Sequence, residues 1–154
     1  MTFNELLKRH RPEYNPPEIL LSIDPGETTG YAIFIKGSYH NSDIIQFSST
    51  YDWQLLFAPE PDIVVCEEYR IYGGQRLAHT GSKVDTIRII GAIEYLCRQY
   101  DIPLYKQMAS SHKNFCTDDK LKEWGFYKKI NKHARDAIRI GCYFLLFHKD
   151  DKKC

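Results

Sequence analysis

Short apolar runs separated by turn residues mark the first third of the chain. Residues 19–23 form one such run, which ends at Asp24 and a Pro-Gly pair, and the runs 31–35 and 44–47 follow after polar residues. Short connections between such runs favour antiparallel pairing of consecutive strands. We therefore predict a meander of three antiparallel strands, with Asp24 at the end of the first.

Two further runs extend this sheet. Residues 63–66 are apolar and largely β-branched, which is typical of a strand buried on both faces, and they continue directly into Glu67 and Glu68. Residues 102–105 predict a weaker strand near an edge, because Pro103 cannot donate a hydrogen bond to a neighbour. The expected sheet has five strands.

Helical spacing of apolar residues appears between and after these runs. We predict a helix over 48–57, a helix of four or five turns that includes 89–100, and two helices after the fifth strand, the last over 131–148. The apolar stripe of the second helix consists of Ile89, Ile93, Leu96 and Tyr100. Antiparallel strands followed by alternating helices and strands predict an α/β fold, a mixed five-stranded sheet flanked by helices.

The first 17 residues differ from the rest of the chain. Leu6 and Leu7 can start a short helix after Asn4, but three prolines stop it, so we interpret 1–17 as an N-terminal arm and 18–154 as the domain. A chain of 154 residues with 43% hydrophobic and 27% charged side chains is typical of one globular domain. Fibrous and disordered classes are excluded.

Net charge and the number and spacing of cysteines further restrict the kind of protein that this chain can be. The net charge is +1, so any surface that binds nucleic acid must come from local clustering of basic residues. The five cysteines are odd in number and contain no Cys-x-x-Cys pair, which favours free thiols over a zinc site. The N-terminal stretch lacks the apolar core of a signal peptide, and no run is long enough to cross a membrane. We expect a cytoplasmic protein with no membrane partner.

Acidic residues at strand ends form the candidate chemistry. Asp24 and Glu67 each end an apolar strand, where a buried carboxylate is costly unless it is paired or binds a cation. At the start of the last helix, His133 and Asp136 are three residues apart and so share one side of it. Several carboxylates with one imidazole suit Mg²⁺ or Mn²⁺ better than zinc. The four residues predict a divalent-metal site.

Each of these residues also has a simpler interpretation. An aspartate before Pro-Gly, as Asp24 is, is a common turn residue. Glu67 and Glu68 at a strand end can face solvent. Asp136 in a first helical turn is favoured by the helix dipole alone, with His133 as an ordinary neighbour. The combination of the four residues favours the metal site over three unrelated explanations.

Basic residues are concentrated beside this site. Between Lys120 and Arg139 the chain carries seven basic and two acidic side chains, a local charge of +5. The loop 69–79 interleaves aromatic and basic residues, as segments that stack on unpaired bases and hold phosphates do. A solvated helix face and an ordinary surface turn are the alternatives. The candidate contacts are Tyr69, Arg70, Tyr72, Arg76, Lys128, Lys129 and Lys132.

Three motifs together resemble a known family. They are residues 23–31 (IDPGETTGY), 64–69 (VVCEEY) and 133–137 (HARDA). In this order they resemble the RuvC-type Holliday junction resolvases of the RNase H-like superfamily, particularly short phage-type members. The resemblance covers about 19–148 and implies an RNase H-like sheet and a homodimer. It further implies a metal-dependent endonuclease of DNA recombination and repair that cleaves four-way or related branched DNA, in the host cytoplasm if a phage encodes it.

The resemblance also implies residue roles. Two Mg²⁺ ions, or Mn²⁺ in their place, would be held by Asp24, Glu67, His133 and Asp136. Asp24 would bridge both ions, whereas His133 would be either a ligand or an aid to proton transfer. Lys113 and Lys120 correspond to family lysines near the scissile phosphate and the DNA backbone. The dimer contact falls on the helix with the apolar stripe described above.

The chain departs from the family pattern at three places. The turn after Asp24 is one residue shorter than in the best-known bacterial members, and His133 stands where many members have aspartate. Arg70 occupies a position where an aromatic residue is expected, so Tyr69 or Tyr72 would have to stack at the centre of a junction.

Other functions are compatible with the same four ligands. An RNase H-like nuclease acting on an RNA–DNA hybrid or on RNA is one alternative, and a non-catalytic RNase H-like nucleic-acid-binding module is another. Residues 24–30 also resemble the phosphate loop of sugar kinases and actin-like ATPases. Those proteins close two such domains around a nucleotide, which 154 residues cannot supply.

Overall fold

Five strands form one mixed sheet. The computed structural model describes residues 1–46, 53–54, 56–69, 82–129 and 131–149. The strands are β1 (Ile19–Asp24), β2 (Thr28–Ile35), β3 (Ser38–Gln46), β4 (Ile63–Glu67) and β5 (Leu104–Gln107). Their order is β3-β2-β1-β4-β5, with β1, β2 and β3 antiparallel and β4 parallel to both β1 and β5. The predicted meander, the mixed sheet and the edge position of the fifth strand are confirmed.

Two of the strand boundaries differ from the prediction for a physical reason. β3 begins at Ser38 although residues 38–43 are mostly polar, because it is an edge strand with exposed positions. β5 begins at Leu104, after Pro103 and not before it. The carbonyl of Pro103 accepts a hydrogen bond from the Val64 amide at 3.0 Å, but the proline has no N–H to continue the ladder.

Five helices of at least six residues accompany the strands in the described ranges. They are α1 (Phe3–His10), α2 (Ser82–Gln99), α3 (Ala109–Phe115), α4 (Asp118–Glu123) and α5 (Lys132–Phe147). Three described helices follow β5, not the predicted two. α3 ends at Phe115, and a new helix starts because the Thr117 side chain caps α4 by accepting from the Lys120 amide. In the predicted helix 48–57, residues 53, 54 and 56 are helical, whereas 48–52 and 55 lie outside the described residues.

The two faces of the sheet bury separate hydrophobic clusters. Leu20 and Val65 point to the face covered by α5, whereas their neighbours Leu21 and Val64 point to the face covered by α2. The central strands β1 and β4 are therefore buried on both sides, which explains their continuous apolar runs. Their ends lie between the two helical layers.

The predicted N-terminal arm contains α1, whose apolar side packs on the domain. Phe3 is 1% exposed, and its ring meets Trp124 edge to face at a centroid distance of 5.2 Å. Thr2 and Glu5 form a reciprocal capping box at the start of the helix. The boundary between an arm of 1–17 and a domain of 18–154 stays a prediction.

The described residues include four of the five cysteines and five helices of at least six residues. Cys66, Cys97, Cys116 and Cys142 are buried free thiols. No helix in the described ranges has both the length and the apolar character needed to span a membrane.

Candidate metal centre

Parallel pairing brings Asp24 and Glu67 to the same edge of the sheet. Ile23 pairs with Cys66 in the β1–β4 register, so each acid is the next residue along its strand. Asp24 is buried, with 9% of its surface exposed, and the Glu67 side chain is 20% exposed. The predicted convergence of two strand-end carboxylates is thus present in the fold.

The first turn of α5 lies against this edge. Asn131 caps the helix by accepting hydrogen bonds from the amides of His133 and Ala134. The ring of His133 then faces β1, with Nδ1 3.2 Å from Asp24 Oδ2, and its other nitrogen, Nε2, is not used in that contact. The side chain of His133 is 45% exposed, so the imidazole is both anchored to an acid and accessible.

Asp136 lies one turn further along α5 and is 3% exposed. Arg139 Nη1 donates to Asp136 Oδ1 at 2.6 Å, and Arg139 also pairs with Asp118 and donates from Nε to the Cys116 carbonyl. The acid is therefore held by a guanidinium that is itself fixed by α4 and the end of α3. In the sequence, Arg139 is one of the basic residues of the segment from Lys120 to Arg139, and no spacing there indicates its partner.

Glu67 has a partner that sequence reasoning missed. His112, on α3, is fully buried, and its Nε2 lies 3.1 Å from Glu67 Oε2. Its Nδ1 lies 3.1 Å from Nε2 of Gln107. α3 has seven residues, which is too short for a periodic pattern to show which side is buried. The sequence signal for His112 is that it directly precedes Lys113, which the family resemblance already places near the site.

The pKa values of Asp24, Asp136 and His133 are all raised by their surroundings in the candidate metal centre. Burial raises the pKa of Asp24, and the negative charges of Glu67 and Asp136 raise it further, against the hydrogen bond from His133. Burial also raises the pKa of Asp136, which the charges of Lys113 and Lys132 oppose. The hydrogen bond to Asp24 raises the pKa of His133. The charge of Glu67 thus disfavours the ionised forms of both Asp24 and Asp136.

This donor set fits a hard divalent cation. Within the described residues, no three His, Cys, Asp or Glu side chains are already grouped around a single position for an ion. The acids instead pair with His133, His112 and Arg139. Carboxylate oxygens with one imidazole are nevertheless ligands that Mg²⁺ and Mn²⁺ accept. Burial and the neighbouring carboxylates raise the pKa values of Asp24 and Asp136, and a cation would oppose both effects.

Two of the five predicted lysines lie near Asp136. Lys113 and Lys132 are exposed and close enough for their charges to lower the pKa of Asp136. Lys120 Nζ lies 3.5 Å from the ring centroid of Phe115. Lys128 and Lys129 are exposed, and their carbonyls accept hydrogen bonds from Arg135 Nη1.

The predicted aromatic loop is described only at its start. Tyr69 follows β4 and is partly exposed. Arg70, Tyr72 and Arg76 lie outside the described residues. The assignment of these residues and of the five lysines to DNA contact stays a prediction.

Comparison with solved structures identifies the fold. T. thermophilus RuvC in complex with a Holliday junction substrate aligns with a TM-score of 0.64 and 14% identity, over 83% of this chain and 92% of RuvC. The yeast mitochondrial Holliday junction resolvase Ydc2 aligns with a TM-score of 0.52 and 15% identity, over 93% and 84%. The Fowlpox virus resolvase in complex with Holliday junction DNA aligns with a TM-score of 0.51 and 14% identity, over 82% and 96%. The chain has the fold of these resolvases.

The predicted RNase H-like architecture is therefore confirmed. The likeness extends over most of each chain, so it concerns a whole domain and not a shared motif. The sequence matches no protein-family model, and the search of curated proteins found no match. The likeness lies in the arrangement of strands and helices more than in the sequence.

Proposed function

We propose that this chain is a divalent-metal-dependent endonuclease that cleaves four-way DNA junctions or related branched DNA. One observation carries the proposal: Asp24 and Glu67 end neighbouring parallel strands at one edge of an RNase H-like sheet, and the first turn of α5 places His133 against Asp24, with Asp136 one turn further along. Three structures of the same fold are resolvases, and two of them hold Holliday junctions. Their substrate is the best guide to that of this chain.

Asp24, Glu67, Asp136 and His133 would hold the cations. Two ions bound there would activate a water molecule and stabilise the leaving 3′ oxygen during phosphodiester hydrolysis. Asp24 is next to Glu67 in the β1–β4 register and contacts His133 of α5, so it would be one of the residues that hold the ions. His133 is held by Asp24 through Nδ1, so Nε2 is its free nitrogen for binding an ion or moving a proton. Mg²⁺ is the expected ion, with Mn²⁺ as a substitute.

The DNA would lie over the basic residues that flank the acids. Lys113 and Lys132 lie near Asp136, and Lys128 and Lys129, shortly before α5 in the chain, are also exposed. Lys120 would extend the contact with DNA toward the backbone of a neighbouring arm. Phosphate contacts of this type give affinity without sequence preference. The contacts at the branch point would come from Tyr69, Arg70, Tyr72 and Arg76.

A resolvase makes two symmetric cuts, so we propose a homodimer. The predicted stripe on α2 cannot provide the contact in full, because Ile89 and Ile93 are both 0% exposed and pack on their own sheet. The opposite side of the helix carries Ile87 and Tyr95, which are 46% and 65% exposed. Their spacing of eight residues puts them on one side of the helix, and this is the surface we propose for the partner.

A cleavage assay on four substrates tests the proposal. Four-way junction, replication fork, linear duplex and RNA–DNA hybrid are incubated with the protein in Mg²⁺, in Mn²⁺ and in EDTA. We expect paired cuts in the four-way junction that require a divalent ion, and none with Asp24→Asn, Glu67→Gln or Asp136→Asn, which should still bind the junction. Preferential cleavage of the hybrid would instead identify an RNase H-like hybrid nuclease. Junction binding without cleavage in any metal would identify a non-catalytic module.

A further inference from the structure

The side chain of His112 occupies an unusual place for a histidine. It is fully buried, yet it contacts an acid of the candidate metal centre and a polar side chain of the edge strand. Its two ring nitrogens are both engaged, Nε2 with Glu67 Oε2 and Nδ1 with Gln107 Nε2, at 3.1 Å each. Buried polar side chains generally have hydrogen-bond partners, so the informative feature is which partners His112 has: an acid of the candidate metal centre and the side-chain amide of Gln107.

The neighbours of Gln107 determine which nitrogen of His112 carries the proton. Gln107 Nε2 also lies 3.4 Å from the carbonyl oxygen of Ile140, which can only accept a hydrogen bond. The Gln107 atom that faces Ile140 and His112 is therefore the amide NH₂, a donor. His112 Nδ1 must accept from it, so Nε2 carries the proton and donates to Glu67.

The backbone fixes all three members of this chain of contacts. Glu67 and Gln107 are paired in the β4–β5 register, and the amide of Glu68 donates to the Gln107 carbonyl at 2.8 Å. α3 begins two residues after Gln107, which brings His112 back over the strand ends. The hydrogen-bonded contacts from the Ile140 carbonyl through Gln107 and His112 to Glu67 thus connect α5, β5, α3 and β4.

We propose that His112 is a positioning residue that holds Glu67 in the orientation required for binding a cation, with Gln107 fixing the ring tautomer. This inference rests on the proposed metal-dependent function. A neutral N–H on Oε2 satisfies one carboxylate oxygen without cancelling the negative charge, so Oε1 and the full charge remain for the ion. A lysine or arginine in the same place would compete with the cation. Ligating carboxylates commonly have hydrogen-bond partners of this kind.

The tautomer can be read without metal or substrate. A two-bond ¹H–¹⁵N correlation spectrum of the ¹⁵N-labelled full chain in EDTA distinguishes protonated from unprotonated ring nitrogens, and loss of the signal in His112→Gln assigns it. We expect a proton on Nε2 and none on Nδ1. A His112 ring protonated on Nδ1 alone would overturn the inference, because Nε2 could not then donate to Glu67.

Metal affinity tests the consequence for Glu67. Binding of Mn²⁺ to the full chain is measured from the electron paramagnetic resonance of the free ion. His112→Leu should lower the affinity by about 10–100-fold, which is the usual effect of losing a partner of a ligand. His112→Gln should retain most of the affinity, since its amide nitrogen can donate near the position of Nε2. Equal losses in the two variants, or wild-type affinity in His112→Leu, would overturn the inference.

Two further variants separate positioning from stability. Cys97→Ala removes a buried side chain of α2 that packs on the other face of the sheet, is measured by thermal unfolding beside His112→Leu, and should leave Mn²⁺ affinity unchanged. In a Glu67→Gln background, His112→Leu should have no additional effect on Mn²⁺ affinity, because the residue acts through that carboxylate. An additive loss would contradict the inference. If His112→Leu does not fold, Gln107→Leu provides the same test with His112 in place and should also lower the affinity.

Junction cleavage is measured in parallel so that two failures can be told apart. Mn²⁺ binding that depends on His112, in a protein that cuts no junction, would support the positioning role and reject the proposed substrate. Junction cleavage by a protein whose Mn²⁺ affinity is indifferent to His112 would support the proposed function and reject the positioning role.

Discussion

Gly30 and His133 approach each other more closely than any side chain at residue 30 would permit. A Cβ atom built on Gly30 would lie 2.0 Å from the carbonyl oxygen of His133 and 2.8 Å from the amide of Ala134. Gly30 is also the register partner of Asp24 on the neighbouring strand. The missing side chain therefore allows the first turn of α5 to reach the strand that carries an acid of the centre.

We expect Gly30→Ala to displace α5 from the sheet. The clash is with backbone atoms, so the free energy of unfolding should fall by about 1–3 kcal/mol, as overpacked sites generally do. Cleavage should decrease more than stability explains, because His133 moves away from Asp24. Denaturant unfolding and junction cleavage measure the two effects. Gly91→Ala is the control, since its Cβ would meet no atom within 4 Å, and stability equal in the two variants would contradict the prediction.

In EDTA, the stability of the protein should decrease as the pH rises. The folded-state pKa values of Asp24 and Asp136 are raised, so the folded chain binds more protons than the unfolded chain between the ordinary carboxyl range and those raised values. His133 acts in the same direction at higher pH. Its pKa is raised in the folded state, so the stability that it contributes is fully present below its unfolded-state pKa and is lost as the pH rises through its folded-state pKa.

Urea unfolding from pH 4 to pH 8 measures this dependence. Asp24→Asn should weaken this pH dependence in both the acidic and the neutral range, because the variant removes one acid and replaces the charged hydrogen-bond partner that raises the pKa of His133 with a neutral one. Glu13→Gln, at an exposed position of the N-terminal arm, is the control and should leave the curve unchanged. A wild-type stability that instead rises from pH 4 to pH 8 in EDTA would refute the prediction.

Replacing Lys128, Lys129 and Lys132 with alanine should weaken binding to every DNA alike. Each lost phosphate contact should reduce the slope of log affinity against log salt by up to about 0.9 on duplex arms. Titrations of junction and linear duplex at several salt concentrations measure that slope. Lys8→Ala combined with Arg9→Ala, on α1, serves as the control. An unchanged slope in the triple variant would leave these lysines as a solvated surface.

Tyr69→Ala and Tyr72→Ala should weaken binding to branched DNA selectively. Stacking on a base is worth about 1–3 kcal/mol, and only a branch point exposes base faces. We expect losses of that size on the four-way junction, little loss on linear duplex, and near wild-type binding for the corresponding phenylalanine variants. Equal losses on branched and linear DNA would reject stacking.

Tyr95→Glu should convert a dimer to a monomer without unfolding it. The side chain is 65% exposed on α2, so a charge there affects a partner surface and not the core. Light scattering at micromolar concentration, with and without junction DNA, measures the mass. Glu13→Gln again provides the control. A wild-type monomer under both conditions would exclude the proposed dimer.

The sequence predicted those parts of the site that depend on local order. Asp24 and Glu67 were recognisable because each directly follows an apolar strand, and parallel strands end at a common edge. His133 and Asp136 were recognisable from helical spacing. These relations need only secondary structure and the order of strands.

His112, Gln107 and Arg139 were not predicted as partners of the acids, because their contacts depend on tertiary packing. His112 meets Glu67 only because α3 folds back over the strand ends, and Arg139 meets Asp118 only because α4 and α5 pack together. The stripe on α2 was ambiguous for a related reason. Spacing shows which residues share a side of a helix, but not whether a sheet or a second subunit covers it.

The position of α5 has a consequence for the newly made protein. Asp24 belongs to the first strand of the sheet, whereas Asp136 belongs to the last described helix, and α5 packs on β1, β2, β3 and β4. Because a chain emerges from the ribosome from its N-terminus, the sheet can be complete before the helix that completes the centre has been synthesised. If the proposed function is right, a nascent chain would be unable to cut nucleic acid near the ribosome until α5 has docked. The order of synthesis would thus delay the proposed activity until the domain is fully folded.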